Sequence, residues 1–225
     1  MSGTPIRLPR EQSSRADRIA ELRSRMAAMG GEAPERVVPE TDTLALGEKF
    51  RTVLPDGGLP RRAVSQVSDT PALVVEILDA VTAEGGFAAV VGWPDLSYAG
   101  IAALGQIIAV PEPGIDPLSV AGVLAEGLDL VVLHTAQPIN VSPVRARPLL
   151  ARVRKGRAAL VTVNAHVPSP ALSITGRVAG FHGIGRGAGR IMGMDMRVEA
   201  AGHRTASATI TLGQTPGRVG LKAVK

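Results

Sequence analysis

Between residues 63 and 163, short runs of Val, Ala, Leu and Ile alternate with segments of helical pattern, and this alternation leaves few folds open. Ala63–Val67, Phe87–Trp93, Gln106–Val110, Leu128–Leu133 and Ala158–Val163 read as strands. Pro71–Ala83, Ser97–Leu104, Pro117–Ala125 and Pro143–Val153 read as the helices between them. Strands separated by helices pair in parallel through right-handed crossovers. Aromatic residues make up only 2% of the 225-residue chain, so Val, Ala, Leu and Ile must build the core, as in a parallel sheet buried on both faces. After Ser173 the pattern changes. Met192–Ala200 and Thr205–Leu212 read as an antiparallel pair joined around Ala201-Gly202-His203. The fold expected is α/β, a mostly parallel sheet flanked by helices with a C-terminal antiparallel hairpin.

The ends are set apart from this core. Ser14–Met29 reads as a separate N-terminal helix, with Ile19, Leu22, Met26 and Met29 on one side and Gly30-Gly31 as its stop. That stripe packs on its own domain or docks a partner. Glu32–Thr43, with Pro34 and Pro39, is a linker, and Gln214–Lys225 is a loose basic tail. The expected organisation is therefore residues 1–42, a core over 43–213, and a tail over 214–225. The first ten residues lack an apolar signal core, and no apolar run reaches the roughly 18 residues of a membrane span. With no cysteine, disulfides and thiolate metal sites are excluded, and a soluble cytoplasmic protein is expected. Net charge is +5, mostly from arginine, which suits phosphate-rich or acidic partners unless Arg merely stands in for Lys.

The connection Ser68-Asp69-Thr70-Pro71 joins the first strand to the first helix. A working phosphate loop at such a junction needs glycines to free backbone N–H groups, a lysine for the β/γ charge and a hydroxyl for Mg²⁺. This connection has neither glycine nor lysine. Asp69 or Thr70 fits a helix N-cap and Pro71 the first helical position. A carboxylate at Asp69 would repel a phosphate from the helix N-terminus.

Gly57-Gly58-Leu59-Pro60-Arg61 followed by strand and helix, Gly127–Leu133 running into a strand, and Ala159–Asn164 together resemble the RecA recombinase core over roughly residues 43–212. Against that family the phosphate loop is missing, and the Mg²⁺-holding aspartate position falls on His134. The γ-phosphate-sensing glutamine falls on Ala165, and no glutamate ends the Phe87 strand, Asp95 lying out of register. Imidazole is a poor substitute for a carboxylate on a hard cation. Phosphoryl transfer needs these parts together, so no enzyme activity and no cofactor are expected. Within the superfamily, the truncated core and the block Gly183-Ile184-Gly185-Arg186-Gly187-Ala188-Gly189-Arg190-Ile191 resemble the short actinobacterial ImuA-type accessory proteins. That resemblance implies a DNA-damage-induced factor of mutagenic translesion synthesis. It would bridge an inactive Y-family polymerase homologue and an error-prone C-family polymerase, and its N-terminal helix could dock a partner or another copy. The alternative is a SulA-type inhibitor of the tubulin-like division protein; a residual ATP-dependent recombinase relative and a plain DNA binder are further rivals.

Two cationic groups are candidate contacts for DNA or an acidic partner. One is Arg145, Arg147, Arg152, Arg154, Lys155 and Arg157, some of which could simply complement a helix C-terminus. The other is Arg177, Arg186 and Arg190 around the glycine block, where the RecA resemblance places a mobile DNA-binding loop; a structural turn fits equally. The block's G-x-G-x-x-A echo of a dinucleotide fingerprint lacks the strand-to-helix context. His134, His166, His182 and His203 are scattered without metal-ligand spacing. Ser65, Ser68 and Thr70 have no neighbouring base, and Trp93 is expected to pack in the core.

Overall fold

The computed structural model describes residues 42–185 and 188–213. The helix Ser14–Met29, most of the linker, Arg186 and the tail Gln214–Lys225 lie outside these residues. The elements, in chain order, begin with β1 (Thr43–Ala45), α1 (Glu48–Arg51), β2 (Gly58–Pro60), β3 (Val64–Val67), α2 (Pro71–Ala83) and β4 (Ala88–Val91). They continue with β5 (Ile107–Val110), α3 (Pro117–Gly127), β6 (Leu130–Asn140), α4 (Pro143–Lys155) and β7 (Ala159–His166). The last three are β8 (Leu172–Gly185), β9 (Ala188–Ala201) and β10 (Thr205–Gly213).

Eight strands form one sheet in the order β10-β9-β8-β3-β7-β6-β4-β5. From β8 to β5 every neighbouring pair is parallel, while β8–β9 and β9–β10 are antiparallel. β1 and β2 make a separate antiparallel pair. This is the mostly parallel, helix-flanked sheet with a C-terminal hairpin that the alternation predicts.

Both faces of the parallel region are covered, which is why its strands are apolar throughout. On one face Val67, Val90, Val132, Val161 and Val163 pack against Leu73, Val74, Ile77, Leu78 and Val81 of α2. On the other, Val64, Val91, Val131, Leu133 and Leu160 pack against α3 and α4 through Leu118, Ala121, Leu149 and Val153. The three long helices start alike, at Thr70-Pro71, Asp116-Pro117 and Ser142-Pro143. Proline suits the first helical position because its missing N–H is not needed there. The Asp116 carboxylate accepts from the Ser119 N–H at 3.2 Å and Ser142 Oγ from the Arg145 N–H at 3.4 Å, each satisfying an orphan donor.

Two expectations need correction. Ser97–Leu104 is no helix but an irregular loop ending in a single 3₁₀ turn at Leu104–Gln106. Gly100 interrupts it, and Leu96 just before it and Ile101 within it both reach the core, a spacing that suits no helical stripe. The Asp79 carboxylate fixes the loop by accepting from the Ala102 N–H at 3.0 Å. The second concerns the glycine block. It is the turn region of a β8–β9 hairpin and not a loop between the Asn164 strand and the final hairpin. β8 escapes the sequence pattern because Gly176, Gly180 and Gly183 break up its alternation.

Candidate functional site: the carboxyl edge of the parallel sheet

Open α/β sheets place ligands at the carboxyl ends of their parallel strands. Here that edge brings together the β3–α2 connection, the end of β4, the middle of β6, Asn164 near the end of β7, and β8. The loop Ser68-Asp69-Thr70 is engaged by the chain's own strands. Ser68 Oγ accepts from the Gly176 N–H at 3.0 Å, and Thr70 Oγ1 donates to the Gly176 carbonyl at 3.3 Å. The two hydroxyls lie 2.9 Å apart. Thr70 occupies the N-cap position of α2 without capping it, because its hydroxyl is turned toward β8 instead. The Asp69 carboxylate accepts from Asn164 Nδ2 at 2.8 Å, with Asn164 held at a φ of 62°. Asparagine tolerates that left-handed backbone better than most residues. The loop therefore ties α2 to β7 on one side and β8 on the other.

Gly176 makes the approach of β8 feasible. A Cβ there would lie 2.9 Å from Leu73 Cδ2, 3.0 Å from Met196 Sδ and 3.4 Å from Thr70 Cγ2. Beside the loop is a shallow, open depression of about 180 Å³, lined by Gln66, Asp69, Asn164, His166 and Thr175 among others and by neither lysine nor arginine. Ligand pockets for small molecules and cofactors usually span about 300–1,000 Å³.

One strand pair further along, the His134 ring stacks on the Trp93 indole, ring centres 4.2 Å apart and planes 12° from parallel. His134 Nδ1–H donates to the Gly92 carbonyl at 2.9 Å. Both rings are buried. Gly92 has a φ of 77°, and a Cβ on it would lie 2.5 Å from the His134 carbonyl oxygen, so β4 and β6 come too close here for any other residue. Ala165 is buried, and Asp95 is exposed in the loop after β4. Among the described residues no group of His, Asp or Glu side chains is arranged to hold a metal ion.

The cationic residues predicted as contacts do not converge. Arg145 and Arg147 lie on the first two turns of α4, near the carboxyl edge, whereas Arg154, Lys155 and Arg157 lie at or just past its other end, at the opposite edge. Two of them are absorbed structurally. The stem of Arg152 packs on α3, where Gly122 leaves room, and its guanidinium lies 3.8 Å from Glu126. Arg157 pairs with the buried Asp129 at 2.8 Å, and Arg61 pairs with the same carboxylate at 3.1 Å. Burial works against the charge on Asp129, but the Phe87 N–H and the two guanidiniums outweigh it and hold its carboxyl below the ordinary value. Arg177 and Arg190 are exposed on the β8–β9 hairpin. Sequence reasoning missed Gly176, Gly92 and Asp129 as organising positions. Only Asp129 left a signal, as an acid just before a buried apolar strand.

His182 lies on the hairpin beside Asp195, Nε2 to carboxylate 2.8 Å, and Thr211 donates to the same carboxylate at 2.7 Å. Hydrogen bonds from His182 and Thr211 lower the Asp195 carboxyl below its ordinary value. These contacts tie β8, β9 and β10 together. No helix among the described residues is long and apolar enough to cross a membrane.

Comparison with known proteins agrees with this architecture. The RadB recombinase structure matches with a TM-score of 0.50 and 15% identity, covering 76% of this chain and 96% of that one, so the fold is RecA-like. A KaiC-like protein from Pyrococcus horikoshii OT3 aligns with a TM-score of 0.46 and 10% identity, over 77% of this chain and 99% of that one. An uncharacterized Mycobacterium tuberculosis protein, Rv3395c, is 32% identical over 156 residues, which is 64% of this chain and 76% of the relative. The model of the MT3502 N-terminal domain matches residues 52–169, from just after α1 to just past β7. With just over half of its length inside that match and a relative of this similarity, the chain belongs to the MT3502 N-terminal domain family.

Proposed function

We propose that this protein is a RecA-like accessory factor that works without nucleotide turnover and acts by binding other macromolecules. The observation that carries the reading is the Ser68-Asp69-Thr70 connection. Its hydroxyls are taken up by Gly176 and its carboxylate by Asn164, where a triphosphate would require free N–H groups and a lysine. The His134–Trp93 stack supports it further, since two packed rings lie where the RecA resemblance expects a metal-holding carboxylate. An Asp69 carboxylate at the N-terminus of α2 adds repulsion toward any phosphate.

The specific role proposed is that of an ImuA-type component of damage-induced translesion synthesis, bridging an inactive Y-family polymerase homologue and an error-prone C-family polymerase. Its support is the resemblance carried by the truncated core and by Gly183–Ile191, together with the excess of arginine. Affinity co-purification of the tagged full chain after DNA damage tests this role. Recovery of both polymerase components is the expected outcome. Recovery of the tubulin-like division protein without them would replace it with the SulA-type reading.

A further inference from the structure

β8 and β9 are each 14 residues long, and their hairpin outruns the sheet on both sides. β3 stops opposite Ile174, and β10 stops at Gly213, opposite Gly193. Past Ile174 the β8 edge has no further described strand beside it, while β10 still flanks β9 as far as Gly193; only past Gly193 do the two strands of the hairpin continue alone among the described residues. This ribbon projects from the carboxyl edge, since β8 runs parallel to β3. The ribbon carries Val178, Phe181, Ile184, Ile191 and Met192, each between 42% and 59% exposed. Val178 and Phe181 pair with Met196 and Met194 where β10 still flanks β9, so they lie on the core-facing side of the hairpin while remaining about half exposed.

Charge toward the end of the hairpin is mostly positive, and the one carboxylate paired beside Val178 and Phe181, Asp195, is engaged by His182 and Thr211. Arg177 and Arg190 are exposed beside the apolar side chains, and from Leu130 to Met194 the sequence contains no Asp or Glu at all. We propose that the ribbon is a docking surface for an acidic, aliphatic-rich segment of a partner protein. Three features favour a polypeptide of that chemistry. The strand edges that no described strand covers offer alternating N–H and C=O groups that another chain can pair with, whereas DNA and lipid cannot. The exposed apolar side chains are aliphatic apart from Phe181, which offers little for stacking bases. The cations select for carboxylates over a like-charged occupant. That last point argues against the chain's own residues 214–225, whose charges are Arg218, Lys222 and Lys225, and against a second copy of the ribbon.

The proposal stands on the ribbon alone, and its test is separate from nucleotide binding or polymerase recovery. The probe is a fluorescein-labelled peptide of roughly a dozen residues, glutamate alternating with valine and leucine, long enough to add one strand. Its lysine-for-glutamate counterpart is the control, and fluorescence anisotropy is read on the full chain. Binding of the acidic peptide is expected, weakened about tenfold by Ile191→Asp and by Arg177→Glu. Thr209→Asp, on the exposed side of β10, should leave it unchanged. Amide hydrogen exchange should slow across 177–184 and 189–192 only when the peptide is added. Failure of the acidic peptide to bind, or equal binding of both peptides, would overturn the proposal. So would tighter binding of a single-stranded oligonucleotide or of phosphatidylglycerol vesicles. Protection in the free chain of the β8 amides that point away from β9 would mean that its own residues or a second copy cover this surface, and would overturn it as well.

Discussion

Ser68→Ala separates a structural loop from an idle ligand site. Ser68 Oγ is the acceptor for the Gly176 N–H at 3.0 Å, and Gly176 is where β8 crosses the start of α2. Removing the hydroxyl deletes its hydrogen bonds with the Gly176 N–H and with Thr70 Oγ1 and leaves a part-buried N–H without its partner. A typical net hydrogen bond contributes about 1 kcal/mol, and an orphaned buried donor costs about 1–3 kcal/mol. Partial access of water at this edge puts the expected loss at about 1–2 kcal/mol. Thr70→Val removes the longer 3.3 Å bond to the Gly176 carbonyl and keeps the side-chain shape, so about 0.5–1 kcal/mol is expected. The hydroxyls touch each other at 2.9 Å, so the double variant should lose less than the two singles together. Urea denaturation at constant slope measures all three. If Ser68→Ala leaves the midpoint unchanged or raises it, the loop does not clasp β8 and the reasoning fails.

Other consequences are equally direct. Asp129→Asn strips the charge from a buried carboxylate shared by Arg61 and Arg157, and a loss of about 2–3 kcal/mol is expected because both arginines retain some access to water. Since the folded Asp129 carboxyl titrates below its ordinary value near 3.9, its contribution is complete above that pH and disappears as acid protonates it. The stability gap between wild type and Asp129→Asn should therefore close as pH falls below about 4, and a gap that persists would contradict the assignment. Gly92→Ala forces a side chain into a left-handed backbone and against the His134 carbonyl, and should cost about 2–4 kcal/mol in the same denaturation assay. Trp93 is the only tryptophan, so its emission reports on the stacked ring alone; His134→Ala should change that emission and lower the thermal midpoint. An unchanged spectrum would place the two rings apart.

The layers of this fold were legible because burial on both faces forces a distinctive composition on parallel strands. Ala63–Val67 and Phe87–Trp93 each contain a strand, Leu128–Leu133 and Ala158–Val163 hold the starts of strands that run on to Asn140 and His166, and Thr70-Pro71, Asp116-Pro117 and Ser142-Pro143 mark helix starts. Phe87 itself is half exposed, the continuous burial beginning at Ala88. β8 was not legible, because its glycines serve close approach and bulges, and so carry no alternating apolar signal. Nor could the sequence place a helix-like stretch such as Ser97–Leu104 as a loop, since Leu96 and Ile101 are held by contacts distant in sequence. At the candidate site, the missing glycines and lysine of Ser68–Pro71 were plain from the residues. What fills their place was not, because Gly176 lies more than a hundred residues away along the chain. The cations of α4 looked alike in sequence, yet Arg152 and Arg157 are committed to Glu126 and Asp129 while Arg145 and Arg147 face solvent.

Isothermal titration of Mg·ATP into the full chain tests the central claim most directly. With Asp69 bound to Asn164 and both hydroxyls bound to β8, no saturable heat is expected at millimolar nucleotide, which corresponds to less than about 4 kcal/mol of binding free energy. Saturable binding in the micromolar range, particularly if Asp69→Ala tightened or abolished it, would show that the loop holds a triphosphate after all.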